Sequence, residues 1–250
     1  MRKPKLDVVF EDNHLIAINK RCGDIVQGDK TEDTPISERI KDYLRIKYKK
    51  SGNVFCGVIH RIDRPVSGVV IFAKTSKALI RMNQLIYDRQ IDKRYWAVVK
   101  NPPPNKKGNL VHYLYKDERK NKVIVLTQPK DGYQKSELNY EVIASSDTYY
   151  LLEIELITGR HHQIRAQLAA IGSPIKGDTK YGFNRGNVDG SIALHARSMT
   201  FIHPITLQTA NIIAKPPSEK TWSIFMEQFK SKSKQEKREK QEKQGEENEI

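Results

Sequence analysis

The chain has 250 residues and a formal net charge of +14, with 44 lysines and arginines against 30 aspartates and glutamates. This length allows one large domain or two small ones, either of which can build a proper core. No apolar run approaches the roughly 18 residues that a membrane-spanning helix needs, and the basic start leads into a strand pattern instead of a signal-peptide core. We therefore expect a cytoplasmic protein with no membrane association.

The positive charge belongs to the part of the chain that is expected to fold. Residues 230–250 carry seven basic and six acidic side chains, which leaves +13 on residues 1–229. Such a surface favours a polyanionic partner, because each phosphate that lysine or arginine neutralises releases counterions. We predict one catalytic domain over 1–229 and a disordered or loosely helical charged tail over 230–250.

The cysteines and histidines do not predict a metal site. Cys22 and Cys56 form no CxxC pair, so we interpret them as free thiols in a reducing compartment. The seven histidines show no ligand spacing, and the adjacent His161 and His162 should point in different directions on a helix or a strand. We predict that the protein binds no metal.

In the first half of the chain, apolar spacing predicts strands and two amphipathic helices. The helices are expected over 34–50 and from an N-cap at Thr75 or Ser76 to residue 88. The predicted strands cover residues 6–10, 14–20, 54–59, 69–73 and 93–99.

The second half of the chain is richer in strands. Residues 102–108, with three prolines, predict a surface loop. Predicted strands follow at 123–127, 136–144 and 149–157, then a helix over 161–171, a hairpin of 193–203 with 209–214, and a closing helix over 222–229. Because strands outnumber helices, we predict a single α+β domain on a mixed, largely antiparallel sheet. The flanking helices and loops are expected to form a basic cleft for a polyanionic partner.

The stretch between the predicted strands 54–59 and 69–73 contains an aspartate in an unusual setting. Asp63 lies beside Arg61 and Arg64 in a turn that contains proline and glycine. One interpretation is a turn carboxylate paired with either arginine. The other is a catalytic carboxylate that the arginines keep ionised.

A second basic cluster supports the catalytic interpretation. Residues 158–165 read Thr-Gly-Arg-His-His-Gln-Ile-Arg and lie at a predicted turn and helix start, where anions are favoured. The spacing places Arg165 one helical turn from His161. Without a cysteine pair or a Ser/His/acid set, Asp63 is the best nucleophile or base that the sequence offers.

Five short motifs follow one another along most of the chain. They are His60-Arg61-Ile62-Asp63 with Ser67-Gly68; Lys93-Arg94-Tyr95 with Ala97 and Val99; the 158–165 cluster; Gly177-Asp178 with Tyr181-Gly182; and Leu194-His195-Ala196 with Phe201 and His203-Pro204. In this order and at these distances they resemble the RluA-type family of pseudouridine synthases. The resemblance runs from about Val8 to Pro217.

The resemblance implies an activity and a set of site residues. Asp63 matches the catalytic aspartate, which acts on a flipped-out uridine so that its ring is rejoined to the sugar through carbon. Tyr95 matches the tyrosine that packs on the target base and is assigned a role in proton removal, and Arg165 matches the arginine that pairs with the carboxylate. The reaction needs no cofactor. The expected substrate-binding residues are Arg61, which would fill the space left by the base, with His60, Arg160, Gln163 and Ile164.

The chain departs from the family pattern at a few positions. Val66 and His161 stand where threonine is frequent, Gln167 where histidine is frequent, and Leu207 where glycine is usual. These differences affect RNA contacts and target choice more than the reaction. We also expect no N-terminal RNA-binding appendage, so the catalytic domain, acting as a monomer, must itself hold a structured ribosomal or transfer RNA.

Other functions remain open at this stage. A non-catalytic RNA-binding or RNA-folding protein on the same scaffold would have the same basic surface. A hydrolase acting on nucleic acid would use Asp63 as base with His60 as its partner, and a role at a membrane surface lacks a hydrophobic face. Tyr95 has an alternative as an ordinary strand aromatic, and His195 and His203 are interpreted as hydrogen-bonded structural residues.

Overall fold

The computed structural model describes residues 6–28, 31 and 33–229, so the charged tail predicted for 230–250 lies outside the described residues. Within the described ranges, eleven strands form one sheet. They are β1 Val8–Glu11, β2 Leu15–Lys20, β3 Gly57–Val58, β4 Ser67–Ala73, β5 Asp92–Val99, β6 Lys107–Asp117, β7 Lys122–Leu126, β8 Gln134–Ser145, β9 Tyr150–Leu156, β10 Leu194–Ile202 and β11 Thr209–Ile213.

The sheet is mixed and largely antiparallel, as predicted. The strand order is β1-β2-β4-β10-β5-β9-β8-β6-β7, with β3 added to β4 and β11 added to β10. The pair β4 and β10 is parallel, with Ser67 opposite His195 and Gly68 opposite Ala196. The other strand pairs are antiparallel. The β4–β10 pair therefore joins an N-terminal group of strands to the rest of the sheet.

Helices cover the sheet on both faces. Helix α1, Ile36–Lys47, packs against one face of β2 and β4, and α2, Ser76–Tyr87, packs against the other face. This is possible because successive side chains of a strand point to opposite faces and all seven side chains of β4 are buried. Helix α3, Gln163–Ala170, and the helical residues 220–229 add to the core around β5 and β9.

Gly68 permits the close contact between β4 and β10. Its φ angle of 116° is in the region that favours glycine, and a Cβ atom at this position would lie 2.6 Å from the main-chain nitrogen of Ala196. Ala196 also pairs with Tyr95 of β5 on its other side. Gly68, five residues after Asp63, is therefore glycine for a steric reason.

Two predictions about the fold are wrong. Residues 107 and 108 are not part of a surface loop, because they begin the 11-residue strand β6. The strand begins with lysine, glycine and asparagine, which do not favour strands, although residues 110–115 read Leu-Val-His-Tyr-Leu-Tyr and are rich in strand-forming side chains. Helix α3 begins at Gln163 and not at His161, because His162 has the left-handed angles φ 50° and ψ 21°.

The other elements agree in kind with the prediction. Thr75 is the N-cap of α2 and accepts a hydrogen bond from the amide of Ala78 at 3.2 Å. The predicted strand 54–59 is reduced to the two residues of β3, and the helix predicted over 34–50 is shorter at both ends. No helix in the described part of the chain is long and apolar enough to cross a bilayer.

Candidate active site

The loop between β3 and β4 carries Asp63, and a buried lysine holds this loop in place. Lys20 is 1% exposed. Its ammonium group donates hydrogen bonds to the main-chain carbonyls of Arg21, Arg64 and Val66 at 2.9, 3.0 and 2.8 Å. The amide of Val66 also donates to the carbonyl of Asp63 at 3.0 Å. Since a buried charge is stable only when its hydrogen bonds are satisfied, Lys20 ties the end of β2 to the loop.

The partner of Asp63 is Arg165 of α3, as the resemblance implies. Arg165 Nη1 donates to Asp63 Oδ2 at 2.9 Å, while Nε and Nη2 bind the two oxygens of Asp178 at 2.6 and 2.9 Å. Arg165 and Asp178 are 5% and 1% exposed. Burial alone would lower the pKa of Arg165, but the hydrogen bonds and charge of Asp178 and Asp63 raise it. The bidentate bond to Asp178 fixes the plane of the guanidinium that faces Asp63.

The two arginines beside Asp63 in sequence do not pair with it. Arg64 turns away and binds Asp33 Oδ2 at 2.6 Å. Arg61 is exposed, and no ion pair with it is found among the described residues. The interpretation of Asp63 as a turn carboxylate paired with a sequence neighbour is therefore wrong.

His162 approaches Asp63 from a third direction. Its Nε2 lies 3.5 Å from Asp63 Oδ2, and its Nδ1 lies 2.9 Å from the hydroxyl of Tyr181. That hydroxyl accepts a hydrogen bond from the amide of Val123 on β7 at 2.8 Å. Burial lowers the pKa of His162 to about 3, so the imidazole is neutral at physiological pH.

The rings of His161 and His162 stack, with centroids 3.8 Å apart, instead of pointing in different directions as expected. The left-handed backbone of His162 explains the difference, because neither residue belongs to the helix. Together with Asp63 they offer ligand atoms that lie within 4.8 Å of one another. However, the Arg165 guanidinium occupies Asp63 Oδ2 and Tyr181 occupies one nitrogen of His162. The group fits a hydrogen-bond cluster better than a cation site.

Tyr95 lies on β5, two strands from the Asp63 loop. Its side chain is 7% exposed, and burial together with the charge of Asp63 raises its pKa well above the ordinary value. The phenol is therefore neutral in this structure and close enough to Asp63 to feel its charge. It offers a flat apolar face with a polar tip, which suits stacking against a base.

The predicted substrate-binding residues divide into two groups. Arg61 and Arg160 are exposed, so their guanidinium groups are available to phosphates. The other three make internal contacts. His60 Nε2 accepts a hydrogen bond from the amide of Ile71, Gln163 is 2% exposed and bonds to Thr158 and Glu137, and Ile164 is 5% exposed in the core.

Sequence reasoning missed several residues that build the site. Asp178 stands in one of the five motifs but was given no role there, although a buried arginine requires a buried acidic partner. Lys20 ends a strand of apolar residues, and a charge in such a position is a signal of a polar internal contact. Tyr181 entered only as part of the 177–182 motif, without a role. The contribution of the β6–β7 hairpin was missed together with β6.

The arrangement can support chemistry at a carbon atom of a base or sugar. A carboxylate with a 25% exposed side chain is held in one orientation by a buried guanidinium. The aromatic ring of Tyr95 lies on the adjacent part of the sheet, and Arg61 and Arg160 are exposed. No other catalytic acid or base pair is needed to explain these features.

Comparisons with known proteins agree with this geometry. A family model described as RNA pseudouridylate synthase matches residues 14–170. An uncharacterized RNA pseudouridine synthase of Bacillus subtilis is 32% identical, over 85% of this chain and 68% of the relative. A tRNA pseudouridine synthase C of Haemophilus ducreyi is also 32% identical, over 90% of this chain and 96% of the relative.

Other relatives give the same result. A ribosomal large subunit pseudouridine synthase D of Zymomonas mobilis is 29% identical, over 86% of this chain and 70% of the relative. The solved structure of human RNA pseudouridylate synthase domain containing 4 has a TM-score of 0.71 at 23% identity, covers 85% of this chain and 89% of that one, and so supports the fold. This chain belongs to the RluA-type family of RNA pseudouridine synthases, the isomerases that convert uridine to pseudouridine in RNA.

Proposed function

We propose that this protein converts a uridine of structured ribosomal or transfer RNA to pseudouridine, with Asp63 as the essential catalytic residue. The observation that carries the proposal is the contact of 2.9 Å between Asp63 and a buried Arg165 that is itself held by Asp178. Two relatives are named for ribosomal and transfer RNA, which supports these substrate classes.

Each proposed role follows from where the residue lies. The bond between N1 of the base and C1′ of the sugar breaks, C5 bonds to C1′, and the proton lost from C5 is balanced by one gained on N1. Asp63 enters the reaction as an ionised carboxylate, with Arg165 as its counterion. Tyr95 stacks on the base, and the resemblance assigns it a role in removing the proton from C5.

The exposed arginines are proposed to hold the RNA. Flipping a base out of its stack costs a few kcal/mol, and a guanidinium such as Arg61 that fills the gap would offset part of that loss. Arg160, exposed beside the turn before α3, is proposed to contact phosphate. For His60, Gln163 and Ile164 we propose an indirect contribution, because their contacts hold the loops that present the arginines.

We further propose that residues 1–229 form the catalytic domain and that the protein acts as a cytoplasmic monomer without cofactor or metal. The basic tail over 230–250 would add non-specific attraction to RNA. Light scattering of the purified protein tests whether it is a monomer. Removal of the tail should weaken RNA binding without lowering the rate at which bound RNA is modified.

The decisive experiment uses RNA from cells that lack the gene. Incubation with the purified protein should produce pseudouridine, measured by nucleoside chromatography, without added metal. Asp63→Asn should lower the rate at least about a thousand-fold while RNA binding persists. Asp147→Asn, at an exposed turn, is the matched control and should keep full activity.

The same measurement separates the alternatives. A hydrolase would release free uracil or cut the strand, and a non-catalytic RNA-binding protein would bind without forming pseudouridine. Full activity in Asp63→Asn would show that the catalytic assignment is wrong.

A further inference from the structure

A series of polar contacts leads from the main chain of β7 to Asp63, and its first two steps are hydrogen bonds. It runs from the amide of Val123 to the hydroxyl of Tyr181 at 2.8 Å, then to His162 Nδ1 at 2.9 Å, and His162 Nε2 lies 3.5 Å from Asp63 Oδ2. Val123, Tyr181 and His162 are 6%, 7% and 8% exposed. These three residues are therefore shielded from water.

The partners in this series of contacts determine where the protons lie. A backbone amide can only donate, so the Tyr181 oxygen accepts from Val123 and keeps its own proton. That proton has Nδ1 of His162 as its acceptor, which leaves the imidazole proton on Nε2. Burial raises the pKa of Tyr181 to about 12 and lowers that of His162 to about 3, so both groups stay neutral at physiological pH.

The backbone of His162 also points to a role in the site. A residue other than glycine rarely adopts φ 50°, and His162 makes no side-chain cap bond to α3 that would justify a polar residue there. This conformation instead directs the ring to Asp63. Strained residues of this kind cluster where a side chain must be aimed at a reacting group.

We propose that His162 is a positioning residue that presents Nε2–H to Asp63 and that Tyr181 sets the tautomer in which it does so. This inference rests on the proposed role of Asp63. The present distance of 3.5 Å is longer than a hydrogen bond, and it should shorten when RNA closes the site, as contacts in unliganded sites often do.

The proposal assigns different roles to the two oxygens of Asp63. Both Arg165 and His162 approach Oδ2. No hydrogen bond or ion pair reaches Oδ1 within the ranges that the structure describes. With Oδ2 held from two sides, Oδ1 is the oxygen that faces the uridine.

Contacts of the neighbouring His161 link the site to the β6–β7 hairpin. Asn121 in the hairpin turn has its Oδ1 at 3.2 Å from His161 Nε2, and its carbonyl accepts from Lys180 at 3.0 Å. His161 in turn stacks on His162. An RNA strand that displaces the hairpin would therefore move His162 relative to Asp63. In this way RNA binding is connected to the orientation of the carboxylate.

The first test is spectroscopic and needs no RNA. In ¹⁵N NMR of the full-length protein, the imidazole nitrogens of His162 should show a protonated Nε2 and a bare Nδ1 at pH 7. In Tyr181→Phe, which keeps the ring and removes the hydroxyl, the two tautomers should become mixed. A protonated Nδ1 in the wild-type protein would overturn the proposal.

The second test is a double-mutant cycle in single-turnover rates on an RNA that the wild-type protein modifies. We expect Tyr181→Phe to lower the rate about ten-fold and His162→Ala about a hundred-fold, with RNA affinity unchanged. His162→Gln, which retains a donor, should recover part of the rate. Because Tyr181 acts through His162, the double variant should be no slower than His162→Ala.

The controls separate failure of this inference from failure of the proposed function. Tyr87→Phe, at a position that is 82% exposed on α2, should leave the rate unchanged. If the effects of Tyr181→Phe and His162→Ala multiply, or if His162→Ala keeps the wild-type rate while Asp63→Asn is inactive, the positioning role is refuted. If Asp63→Asn is itself active, the proposed function fails first.

Discussion

Removing the negative charge of Asp178 should test how Arg165 is held beside Asp63. In Asp178→Asn the side-chain oxygen can still accept one hydrogen bond from the guanidinium, but the negative charge is lost and the amide NH2 faces the other N–H donor. The partly exposed Asp63 is then the remaining ion-pair partner. Breaking a buried ion pair typically costs 3–5 kcal/mol, and the remaining partner places this case at about 3 kcal/mol. For a domain of this size, that lowers the melting temperature by roughly 6–12 °C.

The effect on activity should exceed the effect on stability. A guanidinium that is free to rotate no longer fixes Asp63, and a misplacement of about 1 Å is enough to lower a rate about a hundred-fold. The assay combines urea denaturation with single-turnover pseudouridine formation below the transition, so that unfolded protein does not contribute to the loss. RNA affinity should stay close to that of the wild-type protein.

A double variant distinguishes the ion pair from simple packing. Arg165→Met should destabilise the protein about as much as Asp178→Asn, because it leaves a buried carboxylate without a partner. Arg165→Met combined with Asp178→Leu removes both charges and should cost only about 1 kcal/mol, although it is inactive. A double variant that loses the sum of the two single losses, or an Asp178→Asn protein that loses less than about 1 kcal/mol, would refute the reasoning.

Three further predictions concern the scaffold. Gly68→Ala should destabilise the protein by roughly 3 kcal/mol or more, measured by urea denaturation, because the new Cβ would overlap the main chain of Ala196 and the φ angle disfavours it. Leu207→Gly should raise the stability by about 0.5–1 kcal/mol, since Leu207 has φ 61° and is 73% exposed, whereas the control Leu207→Ala should bring no such gain. His195, bonded to Ser67 at 2.8 Å, has a pKa that burial lowers from 6.5 to about 4. As the pH falls from 6.5 to 4 the unfolded chain takes up a proton that the folded chain refuses, so about 3 kcal/mol of stability should be lost, and a His195→Gln protein should show a correspondingly smaller slope.

The regular part of the fold could be predicted because its determinants are local. In β9, Leu152, Ile154 and Leu156 alternate with two glutamates, and the structure buries the three apolar residues as that period requires. Strand β6 could not be recognised in this way, because its apolar residues do not alternate with polar ones. Residues 110–115 are nevertheless rich in strand-forming side chains, and pairing with β7 and β8 places them in the sheet.

Site residues to which a recognisable motif assigns a role were predicted. Residues that act only through contacts with parts of the chain distant in sequence were missed. Asp63 was recognisable from its motif, and Arg165 from the resemblance. The buried partner Asp178 and the ammonium of Lys20 act on atoms far away in sequence, including main-chain carbonyls. No local pattern records such contacts. A charged residue inside a motif or at the end of an apolar strand is the nearest signal, because a buried charge must have a partner.

The register of the sheet explains why these separate contacts form one site. Ala196 pairs with Gly68 on one side and with Tyr95 on the other, so Tyr95 and the start of β4 stand on one row, two strand spacings or about 10 Å apart. Lys20 fixes the Asp63 loop to the end of β2, and Gly68 allows β10 to approach. The distance between the carboxylate and the aromatic ring is therefore set by main-chain pairing. Substitutions at Gly68 that the fold survives should shift Tyr95 relative to Asp63 and lower the rate more than they lower RNA affinity.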